Sequence, residues 1–264
     1  MSYFAESYER FMVPSLFGPW ASYLIELANP QPGERVLDIA CGTGIVARNV
    51  VSLVGSKGIV MGLDANPDMI GMARAMAERE HLSIDWHTGS AEQLPFADEN
   101  FDLILCQFGL MFFTDRHAAL TQMLRVLKTG GRVILSVWQA IDRHPFYQTI
   151  HDVTQRHLGK SSVQAIFSLG DVDELRKLLT DSGFRHVTIE SVSITARFSQ
   201  PEEFLAWELD VDPAETPALR NLDAEAQQAI MAAVRQEVQG QLDEVMQDHQ
   251  IVLPFHAYVA KARR

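Results

Sequence analysis

Cysteine is scarce, with Cys41 and Cys106 the two in 264 residues. Two cysteines cannot build the disulfide framework of a small secreted domain, and each lies in an apolar segment, so both are expected to be reduced. Long apolar runs are lacking as well, since none approaches the ~18 residues needed to cross a bilayer. The opening residues Met1 to Arg10 hold no basic stretch followed by an apolar one, which argues against a secretory leader. The cytoplasm is the expected compartment. Basic charge is short too: 22 Lys and Arg face 34 Asp and Glu, for a formal charge of -12. Such a chain repels a phosphate backbone unless its basic residues cluster. The one basic run, Lys261 to Arg264, is broken by Ala262 and suits a solubilised end, so nucleic acid is not an expected partner. Neither internal repeats nor low-complexity tracts occur.

What is present is apolar and ordered in rhythm. At 47% hydrophobic and 21% charged residues, the chain can bury enough surface to offset its conformational entropy. From Glu34, strand-like and helix-like segments alternate. Arg35 to Ala40 reads as a strand and Ile45 to Leu53 as a helix. Gly58 to Asp64 is a second strand, followed by a helix whose Asn66-Pro67 supplies a cap and a first-turn proline. Strands are also expected at Ser83 to His87, Phe101 to Gln107 and Gly131 to Trp138, with a helix from Asp115 to Leu127 before the last of these. Beyond Trp138 the spacing predicts helices at Pro145 to Leu158, Val172 to Ser182, Pro201 to Leu209 and Ala224 to Val245. Strands are expected at His186 to Phe198 and Phe255 to Lys261. The fold expected is α/β: a mostly parallel sheet with an antiparallel last strand, helices on both faces and an inserted helical lid. One domain spans 1–264, with core segments at about 30–140, 171–199 and 253–264. Lid segments are expected at about 1–29, 141–170 and 200–252. Ligands of such sheets bind at the carboxyl ends of the strands.

The strongest local signal is Val36-Leu-Asp-Ile-Ala-Cys-Gly-Thr-Gly-Ile-Val-Ala47, a strand entering a G-x-G-x-x-A turn and then a helix. The glycines allow close approach of a ligand to backbone, and Ala47 allows close helix packing. Dinucleotide-binding enzymes share this turn, but Asp38 stands where a pyrophosphate would lie and would repel it. A sulfonium and an ammonium would instead be stabilised there, directly or through water. Asp64 ends the second strand about twenty residues past the loop, where an acid can accept bonds from two ribose hydroxyls.

With Gly62-Leu-Asp-Ala-Asn-Pro-Asp-Met69, Gly89-Ser-Ala-Glu-Gln-Leu-Pro-Phe96, Phe101-Asp-Leu-Ile-Leu-Cys-Gln107 and Arg125-Val-Leu-Lys-Thr-Gly-Gly-Arg-Val-Ile134, the chain resembles the class I S-adenosylmethionine-dependent methyltransferases over residues 34 to 138. Its resemblance is to the branch that holds the ubiquinone and menaquinone biosynthesis C-methyltransferases. The resemblance implies a Rossmann-like fold with S-adenosyl-L-methionine as cofactor. It places Ala40, Gly42 and Gly44 along the methionine part, Asp64 on the ribose, and Ala65 and Met69 about the adenine. By the same resemblance Ser90 and Ala91 face the adenine edge, and Cys106 and Gln107 the methionine or sulfonium side. Many relatives have Asp where this chain has Ser90, so the usual carboxylate bond to the adenine amino group is not implied here, and a hydroxyl or Glu92 is the candidate to replace it. Tyr8-Glu-Arg-Phe-Met-Val-Pro14 resembles an N-terminal helix that closes over the cofactor, which makes Tyr8 a candidate contact, with plain packing as the alternative.

The acceptor is less legible. Methyltransferases of this fold that act on amino groups of nucleic acids carry an Asn/Asp-Pro-Pro-aromatic sequence after the fourth strand, where this chain has Cys106-Gln-Phe-Gly-Leu-Met-Phe-Phe113. Phe108, Leu110, Met111, Phe112 and Phe113 are candidates either for the core or for an apolar or aromatic acceptor pocket. A small-molecule acceptor is expected, and no metal site is assigned. Methyl transfer needs no protein nucleophile, and a base is needed only for an acceptor that must lose a proton. His144, Tyr147 and His151 follow the fifth strand, and His144 is the first candidate for such a base. Two other readings stay open. One is a non-catalytic cofactor-binding or scaffold protein, and the other, disfavoured by Asp38, is a nicotinamide dehydrogenase.

Overall fold

The structure is a computed structural model that describes residues 2–159, 161, 163–209 and 218–264. The chain divides into two compact units: Met1–Gln139 with Leu169–Val192 and Ala257–Arg264, and Ala140–Ser168 with Ser193–His256. The residues before 30, expected with the lid, belong to the first unit.

In the first unit the strands are β1 (Arg35–Ile39), β2 (Ile59–Asp64), β3 (Asp85–Thr88), β4 (Phe101–Gln107) and β5 (Leu127–Trp138). They are joined by α3 (Ile45–Val54), α4 (Pro67–Arg79) and α5 (Arg116–Val126), after α1 (Tyr3–Ser7), a π-helical segment (Tyr8–Phe17) and α2 (Gly18–Ala28). Later come α8 (Val172–Asp181), β6 (Arg185–Phe198) and β8 (Gln250–Arg263), these two strands carrying residues of both units, and β7 (Met246–Gln247) of the second unit. The sheet order is β3-β2-β1-β4-β5-β8-β6, with β7 paired to β8. Pairs among β1 to β5 are parallel, while β8 runs antiparallel to β5, from Arg132 against Arg263 to Trp138 against Ala257. The order reverses between β1 and β4, so their carboxyl ends open the crevice that positions a ligand in such sheets.

Caps start the helices where the sequence places them. The Asn66 side chain accepts from the Asp68 amide at 2.9 Å, with Pro67 in the first turn. Asp115 does the same for Ala118 at 2.9 Å. Helix α3 begins behind Gly44, which has no side chain to cap it, and Asp38 of β1 serves instead, its Oδ2 accepting from the Ala47 amide at 3.1 Å. Gly44 (φ +87°) and Gly62 also admit the indole of Trp86: a Cβ on either would lie 2.4 or 2.3 Å from its ring. The second glycine of the turn is thus explained by packing, while Gly42 meets only Tyr8 at ordinary distance.

Strand β5 begins at Leu127 rather than Gly131, because Lys128-Thr-Gly-Gly131 is a bulge and not a stop. Phe101 pairs with Leu127 and Leu103 with Arg132, and the Lys128 ammonium reaches both oxygens of Asp102 at 2.8 Å. Strand β8 likewise begins before Phe255, in a hairpin that turns at Asp248 (φ 48°) and His249 (φ 62°).

The second unit holds α6 (Pro145–Leu158), α7 (Val163–Ile166), α9 (Pro201–Glu208) and α10 (Ala224–Glu244). Ile150, Val153 and Leu158 on α6 and Val234, Val238 and Leu242 on α10 are buried, while Phe204 meets Phe146 and Phe198. No described helix is long and apolar enough to cross a membrane.

Candidate cofactor site

At the carboxyl end of β1 the chain turns through Ala40 (φ 55°), Gly42 (φ 54°) and Gly44 (φ 87°). Cys41 N donates to Leu63 O at 3.1 Å and Gly44 N to Cys41 O at 2.9 Å, which holds the turn against β2. Ala40 carries a Cβ through a left-handed conformation, and the chain makes room for it at Gly109, where an added Cβ would lie 2.5 Å from that of Ala40.

Asp64 joins two of the loops. Its Oδ2 accepts from Gly42 N and its Oδ1 from Asn66 N, each at 2.8 Å, while Gly89 N donates to Asp64 O at 2.9 Å. The last bond sets Ser90 and Ala91 beside Asp64. Each carboxylate oxygen has two lone pairs, so these amide bonds leave acceptor capacity for a further donor. Burial raises the Asp64 pKa, opposed by the amides of Asn66, Gly42 and Ala65.

Asp38 is wholly buried. Its Oδ2 has the Ala47 amide and its Oδ1 has no hydrogen-bond partner. Burial, opposed by that amide and reinforced by the charge of Asp64, pushes its carboxyl up to about 8. Two acids thus share a turn whose own groups leave one carboxylate oxygen unsatisfied, an arrangement that favours a ligand bearing positive charge.

The other expected residues fall around these two. Tyr8 lies against the glycine turn, 3.7 Å from where a Gly42 Cβ would stand, and stacks on Phe17 at 4.9 Å. Burial and the acids Asp64, Glu9 and Asp38 raise its pKa. Met69 joins Ala5 and Met72 in a cluster that also takes Tyr8. Ala65 is exposed. The Ser90 hydroxyl accepts from Glu92 N at 3.1 Å, which leaves its own hydrogen free to donate, whereas Glu92 accepts from Asp115 N at 2.9 Å. Cys106 is buried, which pushes its thiol up to about 12, with the amides of Gly109 and Leu110 pulling the other way. Gln107 donates to Phe17 O at 3.1 Å while its Oε1 is buried without a partner.

The aromatic stretch after β4 divides. Phe108 (φ 53°) stacks on Trp138 at 3.6 Å, with Trp20 edge-on at 5.4 Å, and Leu110 and Met111 are buried; Phe112 is 58% exposed. His144 lies in the second unit with both ring nitrogens engaged: Nε2 accepts from His256 N at 3.0 Å, which puts the proton on Nδ1, 3.2 Å from Ala140 O. Burial, the largest influence, lowers its pKa to about 4. As placed, it has no lone pair free to take a proton from an acceptor.

Sequence reasoning missed Phe17, Gly109 and Arg48, whose guanidinium donates to Glu9 and Glu80. An isolated Phe, Gly or Arg in an apolar stretch gives no signal until the N-terminal segment is laid on the sheet. Among the described residues no His, Cys, Asp or Glu cluster could hold a metal.

A doubly wound sheet with this order, a glycine turn between two acids and a buried carboxylate oxygen lacking a partner fit S-adenosylmethionine, and the protein is a methyltransferase that depends on it. Residues 11–197 match the ubiE/COQ5 methyltransferase family, and the chain belongs to that family. It is 32% identical over 194 residues to the ubiquinone/menaquinone biosynthesis C-methyltransferase UbiE of Ectopseudomonas mendocina, covering 66% of this chain and 74% of that one. The UbiE of Shewanella baltica is 32% identical over 184 residues, with 64% and 73% covered. Among solved structures, the YcgJ protein of Bacillus subtilis superposes with a TM-score of 0.60 at 18% identity, covering 92% and 97% of the two chains. The [4+2]-cyclase SpnF does so with 0.56 at 19%, covering 94% and 81%. A cyclase among the neighbours shows that this fold alone does not fix an activity.

Proposed function

We propose that the protein transfers the methyl group of S-adenosylmethionine to a small-molecule acceptor by in-line displacement, in the cytoplasm. The bound cofactor would supply an electrophilic methyl on a sulfonium. Ala40, Gly42 and Gly44 would lie along its methionine part, and Asp38 would answer its positive charge directly or through water. Asp64 would accept the ribose hydroxyls, and Ser90 and Ala91 would meet the adenine edge, with Ala65 and Met69 about its faces. Cys106 and Gln107 would stand on the sulfonium side, and Tyr8 would close over the turn. The observation that carries this reading is the unpartnered, buried Oδ1 of Asp38 beside Asp64.

The net charge of -12 and the lack of a basic cluster favour a small acceptor over nucleic acid. The relatives named above are C-methyltransferases of quinone biosynthesis, so an apolar ring is the acceptor class to try first. Residues 198 to 256 lie outside the family match, and we infer that the acceptor is read in part by residues particular to this chain. The engaged nitrogens of His144 support a part in holding its own unit together, and catalysis would rest on positioning in a dry site.

The test is incubation with methyl-labelled cofactor and a metabolite extract, followed by fractionation. Label in a small-molecule fraction supports the reading. Label in nucleic acid or protein, or cofactor bound with no transfer to any fraction, would overturn it, the last favouring a binding or scaffold role.

A further inference from the structure

One buried charge ties the middle of the N-terminal segment to α3. Arg48, on α3, has a side chain 5% exposed and donates in two directions: Nη2 to Glu9 Oε1 at 2.7 Å on the π-helical segment, and Nη1 to Glu80 at the end of α4. The two arms differ. The Glu9 carboxylate is 13% exposed, whereas that of Glu80 is 39% exposed. Arg48 Nε and Glu9 Oε2 are buried with no partner, so the pair is dry but imperfectly satisfied. A guanidinium in that position loses its buried counter-charge if Glu9 leaves, and the cost of that loss holds the segment down.

Glu9 follows Tyr8, whose ring lies on Gly42 and stacks on Phe17. The same segment is fastened at its far end by Gln107 to Phe17 O, and before Tyr8 by Ala5 on Met69 and Met72. Its helix is wound in the π form around Pro14, with Gly18 N reaching Val13 O. Wide turns of this kind are rare and occur often at functional sites. A ligand in touch with Gly42 and Asp64 therefore sits under a segment whose central fastening is Arg48.

We propose that Arg48 is a positioning residue: through Glu9 it latches Tyr8 over the glycine turn and so sets the rate at which cofactor enters and product leaves. The proposal rests on the cofactor reading given above. In Glu9→Gln the carboxylate's charge is lost while the side chain's shape is kept, and Arg48→Lys retains the charge but not the two-way fork. Two measurements are made on each full-length variant. Without ligand, hydrogen exchange of the amides of residues 3–17 should quicken about tenfold or more in Glu9→Gln, as expected when a buried charge-assisted bond is lost. With labelled S-adenosylhomocysteine chased by excess unlabelled compound, dissociation should quicken by a similar factor, with Arg48→Lys between Glu9→Gln and the parent. Unchanged exchange in Glu9→Gln would overturn the latch. Quickened exchange with unchanged dissociation would overturn its hold on the cofactor. If the parent protein bound no S-adenosylhomocysteine, the cofactor reading would fall, while the exchange measurement would still decide the latch.

Discussion

Burial sets the chemistry of single residues here. Asp38 is held up to about 8, well above the 3.8 of a free carboxyl, so the folded chain keeps a proton that the unfolded chain has lost between those values. Its contribution to the stability of the ligand-free protein falls as pH rises through that window. In Asp38→Asn the difference in melting temperature between pH 6 and pH 8 should shrink, while S-adenosylmethionine should bind at least tenfold more weakly. An unchanged affinity would remove Asp38 from the site. Asp64→Asn should weaken cofactor binding similarly, since charge-assisted bonds are worth about 1.5–3 kcal/mol each; calorimetry checks it. Ser90→Asp should tighten binding or leave it unaltered, and a severe loss would show that this block does not face the adenine. For His144 the sign is opposite. Its pKa is lowered from 6.5 to about 4, so its stabilising part is present above 6.5 and lost as pH falls through 4. His144→Ala should cost about 1–3 kcal/mol in unfolding at pH 7, because the His256 amide and Ala140 carbonyl lose a buried partner. It should lower turnover less than tenfold, and a loss of a hundredfold or more that shrinks at high pH would restore it as a base.

At the scale of elements, what could be read from sequence was what local pattern dictates. The segments β1, β2, β4 and α3 lie within a residue or so of their expected bounds and α4 starts at its expected proline, because apolar periodicity and the Asn66-Pro67 start are local signals. The start of β5 was hidden by Thr129-Gly-Gly131, which reads as a stop but is accommodated as a bulge beside Asp102. Pro254 and the polar turn at Asp248 and His249 hid the first half of β8. The π winding about Pro14 has no sequence signature. Of the site, the glycine turn and both acids were legible, whereas Trp86 was not, since its demand for Gly44 and Gly62 arises across three elements. Gly62→Ala should therefore destabilise the fold by about 1–3 kcal/mol through overpacking against that indole. Denaturant unfolding would show it, and a neutral effect would mean that Trp86 is free to shift.

For the whole molecule, the likeness to relatives falls mainly on the first of the two compact units. The family match covers 11–197, which takes in the site's acids and turn but not Tyr8, and leaves most of the second unit outside. Cofactor chemistry is thus inherited with the sheet, while acceptor choice is not given by that likeness. Calorimetry of the purified protein against S-adenosylmethionine, S-adenosylhomocysteine and NAD tests the central claim most directly. The account predicts one site for the two adenosyl ligands and negligible heat with NAD, because a cationic ligand favours the ionised form of Asp38 and Asp64, which a pyrophosphate opposes. Binding of NAD more tightly than S-adenosylmethionine would contradict it.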